Sequence, residues 1–285
     1  MILLFGTMGD IASAAADSLR RAGYEVTHVD FPQNLCRDAA GYRRELVKAI
    51  RSIIGHDCYA GNAAKSGFCC VIPIGNALNL ARLKPELETM FPEIRVYVES
   101  EQKVAMLDSK VACYKFCDGL GIPQPRLLDI DGISDYTKVI FKRDVSFGGH
   151  GVHRPQSRES LLNLISHQSP GEPYLIEELI VGDEYSVDVI RKPSGECLSS
   201  TYRSIKPSGN SPAQTRESCR RPDLEALAVR ILTALEYVGL CGFDFIVDQD
   251  GSPYLLEANP RFTGGLSAQI ASGFDIPALL VSESF

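Results

Sequence analysis

Apolar residues open the chain as a block, Ile2-Leu3-Leu4-Phe5. They then recur at helical spacing over residues 11–22, and residues 24–30 alternate between apolar and polar. A short apolar run, a segment of period 3.6 and an alternating run together predict β-turn-α-β, with Gly23 as the helix C-cap. The pattern recurs less clearly up to the apolar run Cys69 to Ile74, after which a helix starts from about Asn76. Residues 1–100 therefore read as a Rossmann-like domain. Beyond Glu99 the period changes. Residues 102–119 read as one helix, ended by the turn chemistry of Gly121-Ile122-Pro123-Gln124-Pro125. Residues 138–142 read as a strand and 157–167 as a helix, with Ser157 its N-cap and Glu159 in its first turn. Strands follow over 174–180 and 184–190, then a helix over about 223–238. Two strands joined by Asp248-Gln249-Asp250-Gly251 and a terminal helix complete a chain of α/β (α+β) class.

Composition narrows this picture. A chain of 285 residues, 45% hydrophobic and 23% charged, can bury the cores of two or three subdomains. Its formal net charge of −7 argues against a broad nucleic-acid surface. No apolar run is long enough to span a bilayer. The start MILLFGTMGD lacks a basic n-region and is broken by Gly6, Gly9 and Asp10, so no export signal is read there. The expectation is a cytoplasmic protein with neither nucleic acid nor membrane as partner. The nine cysteines form no CxxC pair and are odd in number, which favours free thiols over a zinc site or a disulfide framework. Gly6-x-x-Gly9, with Asp30 ending the second strand, falls short of a dinucleotide fingerprint.

Three segments carry candidate chemistry. Residues 243–247 and 254–259 read as a hairpin turned by Asp250-Gly251, in which Asp244 lies opposite in facing to Phe243 and Phe245, while Glu257 and Asn259 share a face. Three hard oxygen donors in incomplete number suit Mg²⁺, and Arg261 follows as a phosphate fork; the alternative is a solvated polar face. Lys142 ends an apolar strand ahead of Ser146-Phe147-Gly148-Gly149-His150-Gly151, a loop that can cover a polyphosphate with its N–H groups or serve only as a turn. It is not a Walker A loop. Tyr174-Leu175-Ile176-Glu177-Glu178-Leu179-Ile180 followed by Glu184 reads as strand–turn–strand, and a strand end of this kind can pair with an adenine.

Taken in this order, the segments resemble the ATP-grasp superfamily over about residues 108–275. The likeness is strongest to the branch of carbamoyl-phosphate synthetase large-subunit domains and carboxylate–amine ligases. Asp108-Ser109-Lys110 resembles the family's entry motif, and residues 139–142 the strand whose lysine binds phosphates. Residues 147–152 are similar to the mobile glycine loop, and Glu257-Ala258-Asn259-Pro260-Arg261 to E-x-N-x-R.

The resemblance implies an enzyme that uses ATP and Mg²⁺, with Mn²⁺ as a substitute. It would activate a small-molecule carboxylate as an acyl phosphate and couple it to an amine. It assigns nucleotide binding to Lys110, Lys142, Gly148, Gly149 and Gly151, with Glu177, Glu178 and Ile180 at the adenine hinge and Glu184 on the ribose. In related enzymes the region of Arg203 and Lys206 approaches the phosphates or the acidic substrate, the other reading of this pair being solvated surface charge. Asp244, Glu257 and Asn259 take the metal, and Arg261 and Lys142 the catalytic charge neutralisation. It also implies an ATP-grasp domain over 101–285, with a mobile lid at about 126–178 and a metal-binding core at about 179–285. Residues 208–215 are the candidate acceptor loop, and a homodimer is left open. The other readings are a bicarbonate-using carboxylase or carbamoyl-phosphate-type enzyme, and an ATP-binding regulator without catalysis.

Overall fold

The computed structural model describes residues 1–6, 9–30, 38–59, 69–135, 137–146, 151–205 and 215–282, and the side chains of all these except 53–59 and 69. Strands β1 (Ile2–Gly6), β2 (Val26–Val29), β3 (Cys69–Ile74) and β4 (Ile94–Val96) form a parallel sheet in the order β2-β1-β3-β4. Parallel neighbours need crossovers, here α1 (Gly9–Arg21), α2 (Ala39–Tyr59) and α3 (Ala77–Met90). The unbroken apolar run at the start follows from burial on both faces. Ile2 and Leu4 pack with α1, whereas Leu3 and Phe5 pack with α2 and α3.

The stretch expected as one helix is two, α4 (Glu101–Asp108) and α5 (Lys110–Gly119). Ser109 breaks it with an extended backbone (φ −83°, ψ 117°), and its Oγ accepts from the Ala112 N–H at 3.1 Å as an N-cap. A three-stranded antiparallel sheet follows: β5 (Val139–Arg143), β6 (Val152–His153) and β7 (Tyr174–Glu178), in the order β6-β5-β7. Helix α6 (Arg158–Ser166) covers it through Leu161 against Val139, Phe141 and Ile176. The capping box of α6 pairs Ser157 with Ser160, so Glu159 takes no part in it.

The largest sheet has five antiparallel strands in the order β10-β9-β8-β11-β12. They are β8 (Gly182–Arg191), β9 (Cys197–Ile205), β10 (Thr215–Cys219), β11 (Gly239–Asp248) and β12 (Pro253–Asn259). Its apolar face, with Val187, Val189, Phe243 and Phe245, packs on α4, α5 and α7 (Pro222–Ala234). Helix α7 ends four residues short of its expected end, where Glu236 (φ 50°) and Gly239 (φ 116°) turn the chain into β11. The terminal helix is also two, α8 (Leu266–Ala271) and α9 (Ile276–Val281). Both return to the first sheet, where Leu266, Ile276 and Leu280 share a core with Ile2, Leu4, Ala12 and Ile72. A boundary at residue 100 therefore does not separate the hydrophobic cores. No helix among the described residues is long and apolar enough to cross a membrane.

The β11–β12 pair carries a bulge. Asp244 pairs with Glu257 and Phe245 with Leu255, which leaves Leu256 as an extra residue. In an unbroken ladder residues 255 and 257 would share a face. The bulge lets Leu255 enter the core beside Phe245 while Glu257 turns to Asp244. On the same polar face Gly242 has no room for a side chain: an added Cβ would stand 2.2 Å from Thr263 Cγ2 and 2.6 Å from Asp188 Oδ1. Gly242→Ala is expected to lower stability by about 1–3 kcal/mol through overpacking, read as a lower urea midpoint at unchanged m-value.

Candidate active site

Alternation along β8 and β11 puts Glu184, Ser186, Asp188, Gly242 and Asp244 on one face, away from the α7 core. Asp244 lies between Ser186 on β8 and Glu257 on β12. Ser186 Oγ donates to Asp244 Oδ1, and Asn259 Nδ2 donates to Asp244 Oδ2 (3.2 Å) and Glu257 Oε1 (3.4 Å). Arg261 Nη2 in turn donates to Asn259 Oδ1 at 2.8 Å. Burial, then the facing Glu257, pushes the Asp244 carboxyl up to about 7. Burial also acts to raise Glu257, but Lys110, Lys142 and Asn259 outweigh it and hold that carboxyl below its ordinary value.

The helix break positions Lys110. As the first residue of α5 it is 3% exposed, with Nζ 3.0 Å from Glu257 Oε2 and donating to Asp144 O and Ser146 Oγ. Asp144 holds the start of that helix by accepting from the Val111 N–H (2.8 Å) and Ser109 Oγ (2.9 Å), where the helix dipole favours an anion. Lys142 on β5 is also buried and ion-paired with Glu177 on β7. The Tyr114 hydroxyl lies 3.0 Å from Glu177 Oε2 and 3.2 Å from the carbonyl of the bulged Leu256, which ties the small sheet to the large one.

The structure thus brings Lys110, Lys142, Asp244, Glu257, Asn259 and Arg261 together. Glu184 lies on the same face, opposite Ile246 and Ser204. The remaining expected residues are placed differently. The Glu177 side chain is turned inward to Lys142, and its main chain lies in the ladder opposite Ile140. Glu178 accepts from the Arg126 N–H at 2.9 Å, and Ile180 is half-buried just beyond β7. Gly151 (φ 82°) packs on the Arg143 side chain, and its carbonyl accepts from the Arg143 N–H. Arg203 faces the other side of the sheet, opposite Tyr185 and Glu217, and pairs with Asp183 at 2.8 Å. One residue of parity separates it from the site. Gly148, Gly149, Lys206 and most of the loop 208–215 lie outside the described residues.

Several residues of this face went unread in the sequence. Arg216 on β10 pairs with Ser204 and so faces the site, with its guanidinium 5.8 Å from the Tyr202 ring centre and packed on Gly264. Its buried Nε has no hydrogen-bond partner among the described residues. Asp188 is buried under the loop after β12, where Thr263 Oγ1 donates to its carboxylate (3.1 Å) and Gln269 Nε2 donates to Oδ2 (3.2 Å). Tyr202 and Ser200 complete this network through Thr263 and Gln269. It clamps the segment carrying Arg261 to the sheet. Only cross-strand register reveals these roles, because the residues come from four separate segments.

Two predictions follow from these buried groups. Lys142→Met leaves Glu177 as an unpaired buried charge and is expected to cost about 3–5 kcal/mol, largely recovered in Lys142→Met/Glu177→Leu. A double-mutant cycle by urea denaturation checks it. Burial pushes Asp188 from 3.8 up to about 7, opposed in part by Thr263, Gln269 and Arg216. A carboxyl raised on folding stabilises fully below its unfolded pKa and loses that contribution as pH rises through the folded one. Stability is therefore expected to fall between about pH 4 and pH 7. Asp188→Asn, which keeps the shape of the protonated form, should remove its share, of the order of 4 kcal/mol. Denaturation at roughly pH 4 and 8 reads the difference, and a variant that declines as steeply as wild type contradicts it.

The described architecture is that of the ATP-grasp fold. Biotin carboxylase from Campylobacter jejuni superposes with a TM-score of 0.73 over 100% of this chain and 71% of that one, at 17% identity. D-alanine–D-alanine ligase from Bacillus anthracis superposes with a TM-score of 0.69 over 99% and 96%, at 14% identity. Residues 171–284 match the family model described as ATP-grasp in the biosynthetic pathway with Ter operon. In sequence, the arginine-specific large chain of carbamoyl phosphate synthase from Geobacillus stearothermophilus is 26% identical over 222 residues. That alignment takes in 73% of this chain and 19% of the relative, so the chain spans about a fifth of the curated protein it matches.

Proposed function

We propose that the protein is an ATP-dependent ligase that activates a carboxylate as an acyl phosphate and couples it to an amine. The observation that carries this reading is the convergence of Asp244, Glu257 and Asn259 on one sheet face beside Lys110, Lys142 and Arg261. The likeness to D-alanine–D-alanine ligase in fold and to carbamoyl phosphate synthase in sequence supports it.

The donor set fits Mg²⁺. Among the described residues no three His, Cys, Asp or Glu side chains gather as a metal cluster. Two carboxylates, short of an octahedron, nevertheless suit a magnesium ion shared with substrate phosphates. Asn259, whose Nδ2 faces both carboxylates and whose Oδ1 faces Arg261, would add its oxygen once its amide turns over. Asp244, Glu257 and Asn259 would hold the ion, whose positive charge would offset that of the phosphates. The chain's own residues do the remainder. Lys110 and Lys142 face the negative γ-phosphoryl group during in-line attack by the carboxylate oxygen, and Arg216 adds a cation on the same face. Arg261, oriented by Asn259, meets the oxyanion formed when the amine attacks the acyl phosphate. No Ser, Cys or His nucleophile is required.

Phosphate release from ATP tests the reading, measured with amino acids singly, in pairs and with bicarbonate. Turnover that needs both a carboxylate and an amine is the expected result. Turnover with bicarbonate alone would favour the carboxylase reading, which the carbamoyl phosphate synthase match keeps in play. Asn259→Ala is expected to lower turnover at least 100-fold, because it removes a metal donor and frees both Asp244 and Arg261. Substrate-stimulated phosphate release at the wild-type rate in this variant would sink the assignment.

A further inference from the structure

Beside the phosphate face lies a cavity of about 150 Å³. Its walls come from four places: the carboxyl ends of β3 and β4 with the residues that follow them, Lys84 of α3, the turn entering β11, and the segment Pro260 to Phe262 with Leu280 of α9. Carboxyl ends of parallel strands are where open α/β sheets bind ligands. The lining is mainly apolar, with Ile72, Val96, Val98, Val238 and Leu240 aliphatic and Phe262 aromatic. By the measure on which one water needs ~10–15 Å³, the space holds on the order of ten waters, or a molecule of about that many non-hydrogen atoms.

The charges on the wall are unequal. Glu99 is satisfied, accepting from the Ser100 N–H at 2.7 Å and from Lys103 at 3.4 Å. Lys84 and Arg261 have no carboxylate within ion-pair distance among the described residues, in contrast to Lys110 and Lys142. Lys84 Nζ spends one of its three protons on the Val98 carbonyl (2.7 Å), and Arg261 donates to Asn259 Oδ1 and Phe262 O. Two cations with no carboxylate at ion-pair distance therefore border an apolar space, Arg261 being offset only at longer range by the buried Asp108, and Arg261 also touches a proposed metal-binding residue.

We infer that this cavity binds the carboxylate to be activated, a small acid with an aliphatic body. Lys84 and Arg261 take its anionic end, and the valines, Ile72 and Leu240 take the rest. The inference rests on the ligase reading for its purpose, though the binding it describes needs no nucleotide. Arg261 links the two places, since its other edge holds Asn259 at the phosphate face.

Calorimetric titration of the whole protein with 4-methylpentanoate, and with 4-methylpentanamide of the same shape and no charge, tests the inference. The acid is expected to bind at least tenfold more tightly than the amide. Lys84→Met is expected to weaken the acid at least tenfold and leave the amide unchanged, and Val238→Phe, which fills the cavity, to abolish both. ADP with Mg²⁺ is titrated into each protein in parallel, and affinity within twofold of wild type shows an intact fold. No binding of the acid to wild type, equal affinity for acid and amide, or acid binding unaltered in both variants overturns the inference. Any of these, with ADP still bound, leaves the ligase reading standing. Failure of wild type to bind ADP strikes the ligase reading and not the cavity.

Discussion

Asp244 and Glu257 face each other across β11 and β12, both half-buried, and two like charges so placed repel. Much of the surrounding structure serves to keep them there. The bulge at Leu256 aims Glu257 inward, Asn259 donates to both carboxylates, and Ser186 donates to Asp244. The break at Ser109 starts a new helix so that Lys110 arrives at Glu257 from its first turn. A divalent cation between the two carboxylates would convert this repulsion into attraction, which gives the arrangement a use beyond stability.

The second lysine works through a different partner. Lys142 belongs to the three-stranded sheet, and its buried carboxylate, Glu177, is also reached by Tyr114 of α5, which contacts the bulge carbonyl of β12. One hydroxyl thus joins the small sheet, a helix and the edge of the large sheet at the point where the site requires them in register. Burial of a charge pair of this kind contributes little net stability, but loss of either partner is costly. The junction is consequently well defined in geometry even though the small sheet has only a minor core of its own.

The ends of the chain meet in one core. Helices α8 and α9 pack on α1 and the first sheet, so the segment that carries Arg261 is held from below by Asp188 and from the side by the N-terminal unit. The cavity at that seam takes its walls from both halves. Contacts with the first hundred residues therefore shape a place that the order of motifs assigns to the second half alone.

By itself the sequence determined the alternation of elements, the buried parallel strand Ile2-Leu3-Leu4-Phe5 and the hairpin that carries Asp244, Glu257 and Asn259, because those depend on local period and turn chemistry. It also carried the ATP-grasp resemblance, through motifs whose order survives without coordinates. It did not show that residues 102–119 break at Ser109, where the local Ser109 cap is joined by Asp144 arriving from another segment. Nor did it show that Arg216 faces the site and Arg203 does not. That choice rests on the register between β9 and β10, where one residue of slip exchanges the faces. Asp188, Thr263 and Gln269 are ordinary polar residues until folding brings them together. Tertiary structure decided which polar groups meet, because contact between distant segments is fixed by packing and register, neither of which leaves a period in the chain.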